Sequence, residues 1–114
     1  MATIEHSIEV NLPPREAIDE WRVFPFRSIV GYFREPGRRL HWQDGAGNEA
    51  WGATLIVALG PRRTRICVKL DYYPAQSGLP AAALNAHISA DLTMFLRFAE
   101  SDAARQAAHE LTAG

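Results

Sequence analysis

The chain has 114 residues, 47% of them hydrophobic and 22% charged, a balance that suits one globular domain with one core and excludes a disordered or fibrous polymer. A formal net charge of -1 supplies no long-range attraction for nucleic acid or an anionic membrane surface. Cys67 is the single cysteine, so no internal disulfide can form, and no run approaches the roughly 18 uninterrupted apolar residues of a membrane span.

The opening stretch Met1–His6 has neither a basic cluster nor a long apolar run, so no signal peptide is read there and a cytoplasmic location is expected. Ile4, His6, Ile8, Val10 and Leu12 alternate with Glu5, Ser7, Glu9 and Asn11, the period-two pattern of a half-buried strand. Pro13-Pro14 ends that strand, because proline cannot donate to a ladder, and opens a short helix over Arg15–Trp21. Ala17, Ile18 and Trp21 fall on one side of it.

After Phe24-Pro25-Phe26, the β-branched and aromatic residues of Ser28–Arg34 predict a strand, closed by the turn Glu35-Pro36-Gly37. Arg38–Gln43 reads as its hairpin partner, with Leu40 and Trp42 on one face. Asp44-Gly45-Ala46-Gly47-Asn48 is a second turn. Glu49–Leu59 follows as a longer strand carrying Trp51, Ala53, Leu55, Val57 and Leu59 on one face. Gly60-Pro61-Arg62-Arg63 closes a further hairpin into Thr64–Tyr73, where Ile66, Val68, Leu70 and Tyr72 alternate with Arg65, Cys67, Lys69 and Asp71. Short Gly/Pro connections of this kind imply an antiparallel meander.

From Ala81 to Glu100 there is no proline or glycine, and Leu84, Ile88, Leu92, Phe95, Leu96 and Ala99 recur at spacings of three and four. This predicts a long amphipathic helix with a stripe wide enough to pack on a sheet. Ser101–Gly114, alanine-rich and weakly apolar, reads as a helical extension or a frayed tail. The fold class is α+β, and a gap between sheet and helix is a natural place for a small apolar ligand.

Four segments carry a resemblance to a known family. "IEHSIEVNLPPREAIDEW" resembles the first strand and helix of the START-like (SRPBCC) superfamily, in its polyketide cyclase and coenzyme-Q-binding-protein-like group. "RLHWQDGAGNEAWGATLIVAL" is similar to the hairpin before its last strand, "TRICVKLDYYP" to that strand, and "LNAHISADLTMFLRFAES" to its C-terminal helix. The resemblance spans roughly residues 3 to 101, and it implies a helix-grip domain over 1–101 with 102–114 as an extension. It also implies a cavity for a lipid, quinone or polyketide-like molecule. Family members usually carry another strand pair after the first helix, whereas here Trp21 is followed almost at once by "VFPFRSIVGYFREPGRRLHW". The shortened sheet is expected to leave an exposed strand edge, which proteins often manage by pairing with a second copy.

Chemistry-bearing residues are few. His6, His41, His87 and His109 include no i, i+4 pair, so no metal or other cofactor is expected. "DGAGNEAWG" contains a Gly-x-Gly but lacks the strand-to-helix context of a phosphate loop. His6 lies in register with the apolar face of its strand, and His87 stands one helical turn from Asp91, a spacing that suits a base and its orienting carboxylate or a solvated surface pair. These two histidines are the only catalytic candidates. Arg38-Arg39 and Arg62-Arg63 at two turns either meet an anionic head group or are simply solvated, and Cys67 has basic neighbours but no catalytic partner.

Trp42, Trp51 and Tyr72 each combine an apolar body with one hydrogen-bonding tip. With His6, Ile88, Leu92 and Phe95 they form the expected lining of a ligand site between sheet and helix. The leading expectation is a binding module for a small hydrophobic molecule. An aromatase/cyclase-like enzyme is one rival, and a cavity-poor dimeric interaction module is the other.

Overall fold

The computed structural model describes the backbone of residues 1–113 and the side chains of residues 1–101. Its elements are β1 (Ala2–Val10), α1 (Pro14–Val23), a 3-10 helix (Ile29–Phe33), β2 (Leu40–Gln43), β3 (Glu49–Gly60), β4 (Arg63–Tyr73) and α2 (Ala81–Ala113). The expected extension over 102–114 is thus helical through Ala113, while Gly114 and the side chain of His109 lie outside the described residues. The strands make one open antiparallel sheet in the order β1-β4-β3-β2, with α2 packed against it.

The inner face is set by β4, whose Thr64, Ile66, Val68, Leu70 and Tyr72 are all buried. Alternation along β4 leaves no choice of register, because a slip by one residue would turn this whole row to water. Ile4, His6, Ile8 and Val10 of β1 pair with that row, as do Ala50, Gly52, Thr54 and Ile56 of β3. Onto it α2 lays Leu84, Ile88, Leu92, Phe95 and Ala99, all buried. Each large side chain so buried contributes about 1.5–3 kcal/mol.

This register bears out β3 as a strand but corrects the expected place of Trp51 between sheet and helix. Trp51, Leu55, Val57 and Leu59 do share a face, but it is the outer one, and all four are exposed. Both faces of the strand are largely apolar, so its own pattern does not select one. The pairing Gly52↔Leu70 and Thr54↔Val68 does, and it needs small residues under the layer above. At Gly52 an added Cβ would run into the Leu70 side chain and come within 2.6 Å of the Lys69 carbonyl.

The second correction concerns Ser28–Arg34, expected as a strand. Ile29–Phe33 is a 3-10 helix, started by Ser28, whose Oγ accepts from the Val30 N–H at 3.3 Å. The segment is fixed from outside its own sequence at both ends. Asp91 of α2 accepts from the backbone N–H groups of Arg27 and Ser28, and Thr54 donates its hydroxyl to the Phe33 carbonyl at 2.6 Å. A short helix with poor internal hydrogen bonds persists when such partners take up its free ends.

α1 starts on Pro14, where a missing N–H costs nothing, and buries Ala17 and Trp21. The Trp21 indole donates to the Arg34 carbonyl at 2.9 Å, and its ring meets Phe26 and Phe95 edge-on at 4.6 and 5.0 Å. This aromatic cluster joins α1, the following loop and α2, and it fills the space over the short side of the sheet.

Candidate functional site

Between the 3-10 helix, the end of β2 and the first turns of α2 lies an open groove of about 480 Å³. Its apolar surface comes from Ile29, Trp42, Leu79 and Leu84, and its polar rim from Arg27, Tyr32, Asp44 and His87. Each wall has a local cause. Trp42 reaches the groove because Trp42↔Ala50 pairing turns it to the inner face. Leu84 and His87 sit one turn apart at the entry of α2. Tyr32 and Ile29 are carried in by the 3-10 helix that Asp91 holds.

The wall at Asp44 is a built turn. Asp44 Oδ1 accepts from the N–H groups of Ala46 and Asn48, both at 3.0 Å, and Oδ2 accepts from the Asn48 side-chain amide at 2.9 Å. These donors, the Asn48 amide first, hold the Asp44 carboxyl below the usual carboxylate range, so it stays charged at neutral pH. Gly47, at φ 93°, supplies the left-handed residue that closes the turn. Buried Asn48 also accepts from the Ala75 N–H at 2.8 Å, which ties the hairpin to the segment leading into α2.

Hydrogen-bonding capacity is distributed unevenly around the predicted residues. Tyr72 is buried in the core and donates its hydroxyl to the Leu79 carbonyl at 2.7 Å. Burial, and then the charge of Asp44, pushes the Tyr72 phenol up from its usual value near 10. His6 is on the inner face as expected, but its Nε2 meets the Asn85 amide oxygen at 2.7 Å, so that ring nitrogen is already engaged with α2. By contrast, the Trp42 indole, the Tyr32 hydroxyl, the His87 ring and the Arg27 guanidinium have no hydrogen bond or ion pair among the described residues.

The expected lining is therefore split four ways. Trp42 lies in the groove, where it meets His87, expected only as a catalytic candidate. Tyr72, Ile88, Leu92 and Phe95 are packed in the core with less than a twentieth of their surface exposed, and His6 stands beside α2. Trp51 does not join them: the register of β3 puts it on the far side of the sheet, stacked on His41 at 4.3 Å beneath Arg39. There it borders a depression of about 290 Å³ with Glu5, Leu55, Cys67 and Lys69. A third depression, of about 320 Å³, lies by Val10, Asn11, Leu12 and Glu100.

The His87–Asp91 spacing produces no base and orienting carboxylate. Asp91 turns into the core, and both of its oxygens are committed to Arg27 and Ser28. Among the described residues no three His, Cys, Asp or Glu side chains come together to hold a metal ion, and no helix is long and apolar enough to cross a membrane. The sequence reading did not select Asp44, Arg27 or Leu79. The spacing Asp44-x-Ala46-x-Asn48 was the available signal for the first, as a side chain capping its own turn.

Fold and groove define a small α+β domain with an open antiparallel sheet and an amphipathic surface cleft. Compared with protein-family models, with curated proteins and with solved structures, the chain matches none.

Proposed function

We propose that the chain is a shortened START-like helix-grip domain that binds a small hydrophobic molecule of lipid, quinone or polyketide type in the cytoplasm. The observation that carries this reading is the groove's combination of an apolar floor with the polar tips of Trp42, Tyr32, His87 and Arg27, which have no hydrogen-bond partner among the described residues. A ring or acyl segment stacks on Trp42 and covers Leu79, Leu84 and Ile29. A carbonyl, hydroxyl or carboxyl end meets the Trp42 N–H, His87 and Arg27. Small-molecule sites are generally built this way, with apolar area supplying affinity and a few polar groups fixing orientation. Support also comes from the order of elements, with strand, helix, antiparallel strands and a long helix across the sheet. The ligand site expected between sheet and helix is thus moved to the mouth of that interface. The core between sheet and helix is filled by buried side chains that include Tyr72, Ile88 and Phe95.

The test is a thermal-shift and tryptophan-fluorescence titration of the full chain with a short-chain benzoquinone, a medium-chain fatty acid and a hydroxylated naphthoquinone. At least one is expected to raise the melting temperature by a few degrees and to quench emission. Trp42→Ala should weaken that ligand by about tenfold, the loss of a central stacking contact worth roughly 1.4 kcal/mol. His87→Ala should weaken it less. A flat response across the panel, or an affinity indifferent to Trp42→Ala, would overturn the reading.

A further inference from the structure

We propose that the groove is polarised and that its occupant is a flat hydroxy acid, an aromatic carboxylate whose acid end meets Arg27 and His87 and whose far hydroxyl donates to Asp44. This rests on the groove being the ligand site, and it narrows the ligand from any small hydrophobe to one with two unlike ends. The direction of the polarity follows from the fold. The charge of Asp44 is felt by the Tyr72 phenol, and the Tyr72 hydroxyl reaches the Leu79 carbonyl at 2.7 Å, so the acidic end lies where the chain enters α2. The backbone of Arg27 is held by Asp91, one turn beyond His87, so the basic end lies further along that helix.

Both ends have bonding capacity to spare. The Arg27 guanidinium and the His87 ring are exposed and have no hydrogen bond or ion pair among the described residues. Asp91 does not pair with that guanidinium: it is buried, and its oxygens accept from the N–H groups of Arg27 and Ser28 and from the Ser28 hydroxyl. A ligand carboxylate complements Arg27, because the planar guanidinium offers it two parallel N–H donors. At the other end Asp44 Oδ1 accepts two backbone N–H groups, whereas Oδ2 accepts only the Asn48 amide. A carboxylate oxygen has room for a second donor, so Oδ2 can take a hydroxyl. The same bonds keep Asp44 ionised at neutral pH, and this end therefore repels a second acid.

The stretch between the ends favours a rigid ring body. Trp42 and Asp44 both line the groove and stand two residues apart at the end of β2, roughly 6–7 Å along the strand. Leu79, Leu84 and Ile29 supply apolar area beside the indole. A fused ring system covers that area without the rotor entropy that an acyl chain of the same reach would lose.

The test is a calorimetric titration of the full chain at neutral pH with four naphthalenes that share one body: 6-hydroxy-2-naphthoic acid, its methyl ester, 2-naphthoic acid and naphthalene-2,6-dicarboxylic acid. The hydroxy acid is expected to bind about tenfold tighter than its ester and severalfold tighter than 2-naphthoic acid, with the dicarboxylate weakest. Arg27→Gln alters an exposed side chain and leaves the N–H that reaches Asp91, so it should bring acid and ester level with an unchanged circular dichroism spectrum. Arg27→Glu should reverse their order. If acid and ester bind the wild type equally and both depend on Trp42, the groove stands as a hydrophobic site and its polarity is overturned. A dicarboxylate that matches the hydroxy acid overturns the polarity as well. If no member of the set binds, the polarity and the groove fall together.

Discussion

Asp91 on α2 receives Ser28 twice at a single carboxylate oxygen, from the backbone N–H at 2.7 Å and from the hydroxyl at 2.5 Å, across 63 residues of sequence. The neighbouring Arg27 N–H reaches the same carboxylate at 3.1 Å. One buried side chain thus satisfies the start of the 3-10 helix and sets the position of Ile29 and Tyr32 in the groove.

Replacing it should expose the dependence. Asp91→Ala strands two backbone donors and a hydroxyl in a partly buried site, and an unpaired group of that kind costs about 1–3 kcal/mol. Urea denaturation is expected to show a loss of about 2–3 kcal/mol, with a smaller loss for Asp91→Asn, which keeps an acceptor oxygen. If Asp91→Ala changes stability by less than about 0.5 kcal/mol, the size of an ordinary surface substitution, the clasp is not what orders the segment.

Gly52 makes a sharper steric prediction. An added methyl would overlap Leu70 and press on the Lys69 carbonyl, and the carbonyl belongs to a ladder that cannot yield without breaking its pairing. Gly52→Ala should cost about 1–3 kcal/mol, the range of overpacked cores, despite the better strand propensity of alanine. A melting temperature equal to the wild type would show that the inner face has more room than these distances allow.

Alkaline pH acts through Tyr72. Its folded-state pKa is raised, by burial first and by Asp44 second, so the folded chain holds the phenolic proton more tightly than the unfolded chain does. The associated stability is complete below the usual tyrosine value of about 10 and is lost as pH rises through the folded value. Tyr72→Phe should flatten that alkaline decline, while costing about 1 kcal/mol at neutral pH for the lost bond to the Leu79 carbonyl. An identical alkaline profile for the two proteins would assign the decline to another group.

His6→Ala separates a structural histidine from a ligand-binding one. Its contact with Asn85 is partly solvated, so about 0.5–1 kcal/mol of stability should go with it. Ligand affinity should stay unchanged in the titration that Trp42→Ala weakens. A His6→Ala protein of normal stability that binds nothing would return the site to the sheet–helix interface.

Much of this fold could be read locally. The alternation in Ile4–Val10 and Thr64–Tyr72 gave two strands with their inner faces, and the spacing of Leu84, Ile88, Leu92 and Phe95 gave the helix that covers them. What failed was decided at a distance. Leu55 and Val57 look more like core residues than Gly52 and Thr54 do, but β3 takes its facing from β4. Ser28–Arg34 has strand composition, yet its ends are bound by Asp91 and Thr54, which lie in other elements. The site divided in the same way. Trp42 and His87 are visible in the sequence pattern, whereas Asp91, whose helical spacing points only to His87, finds its partners Arg27 and Ser28 more than 60 residues upstream.

The strand order also has a consequence for synthesis. β1 is made first, but its only partner in the sheet is β4, the last strand to leave the ribosome. Ile4, Ile8 and Val10 must therefore wait uncovered while the β2–β3 hairpin forms, and the sheet closes late over contacts widely separated in sequence. Such closure is slow and leaves apolar strands open to capture in the meantime. A nascent chain halted before Thr64 should accordingly be a strong client for chaperones. One released after α2 should not.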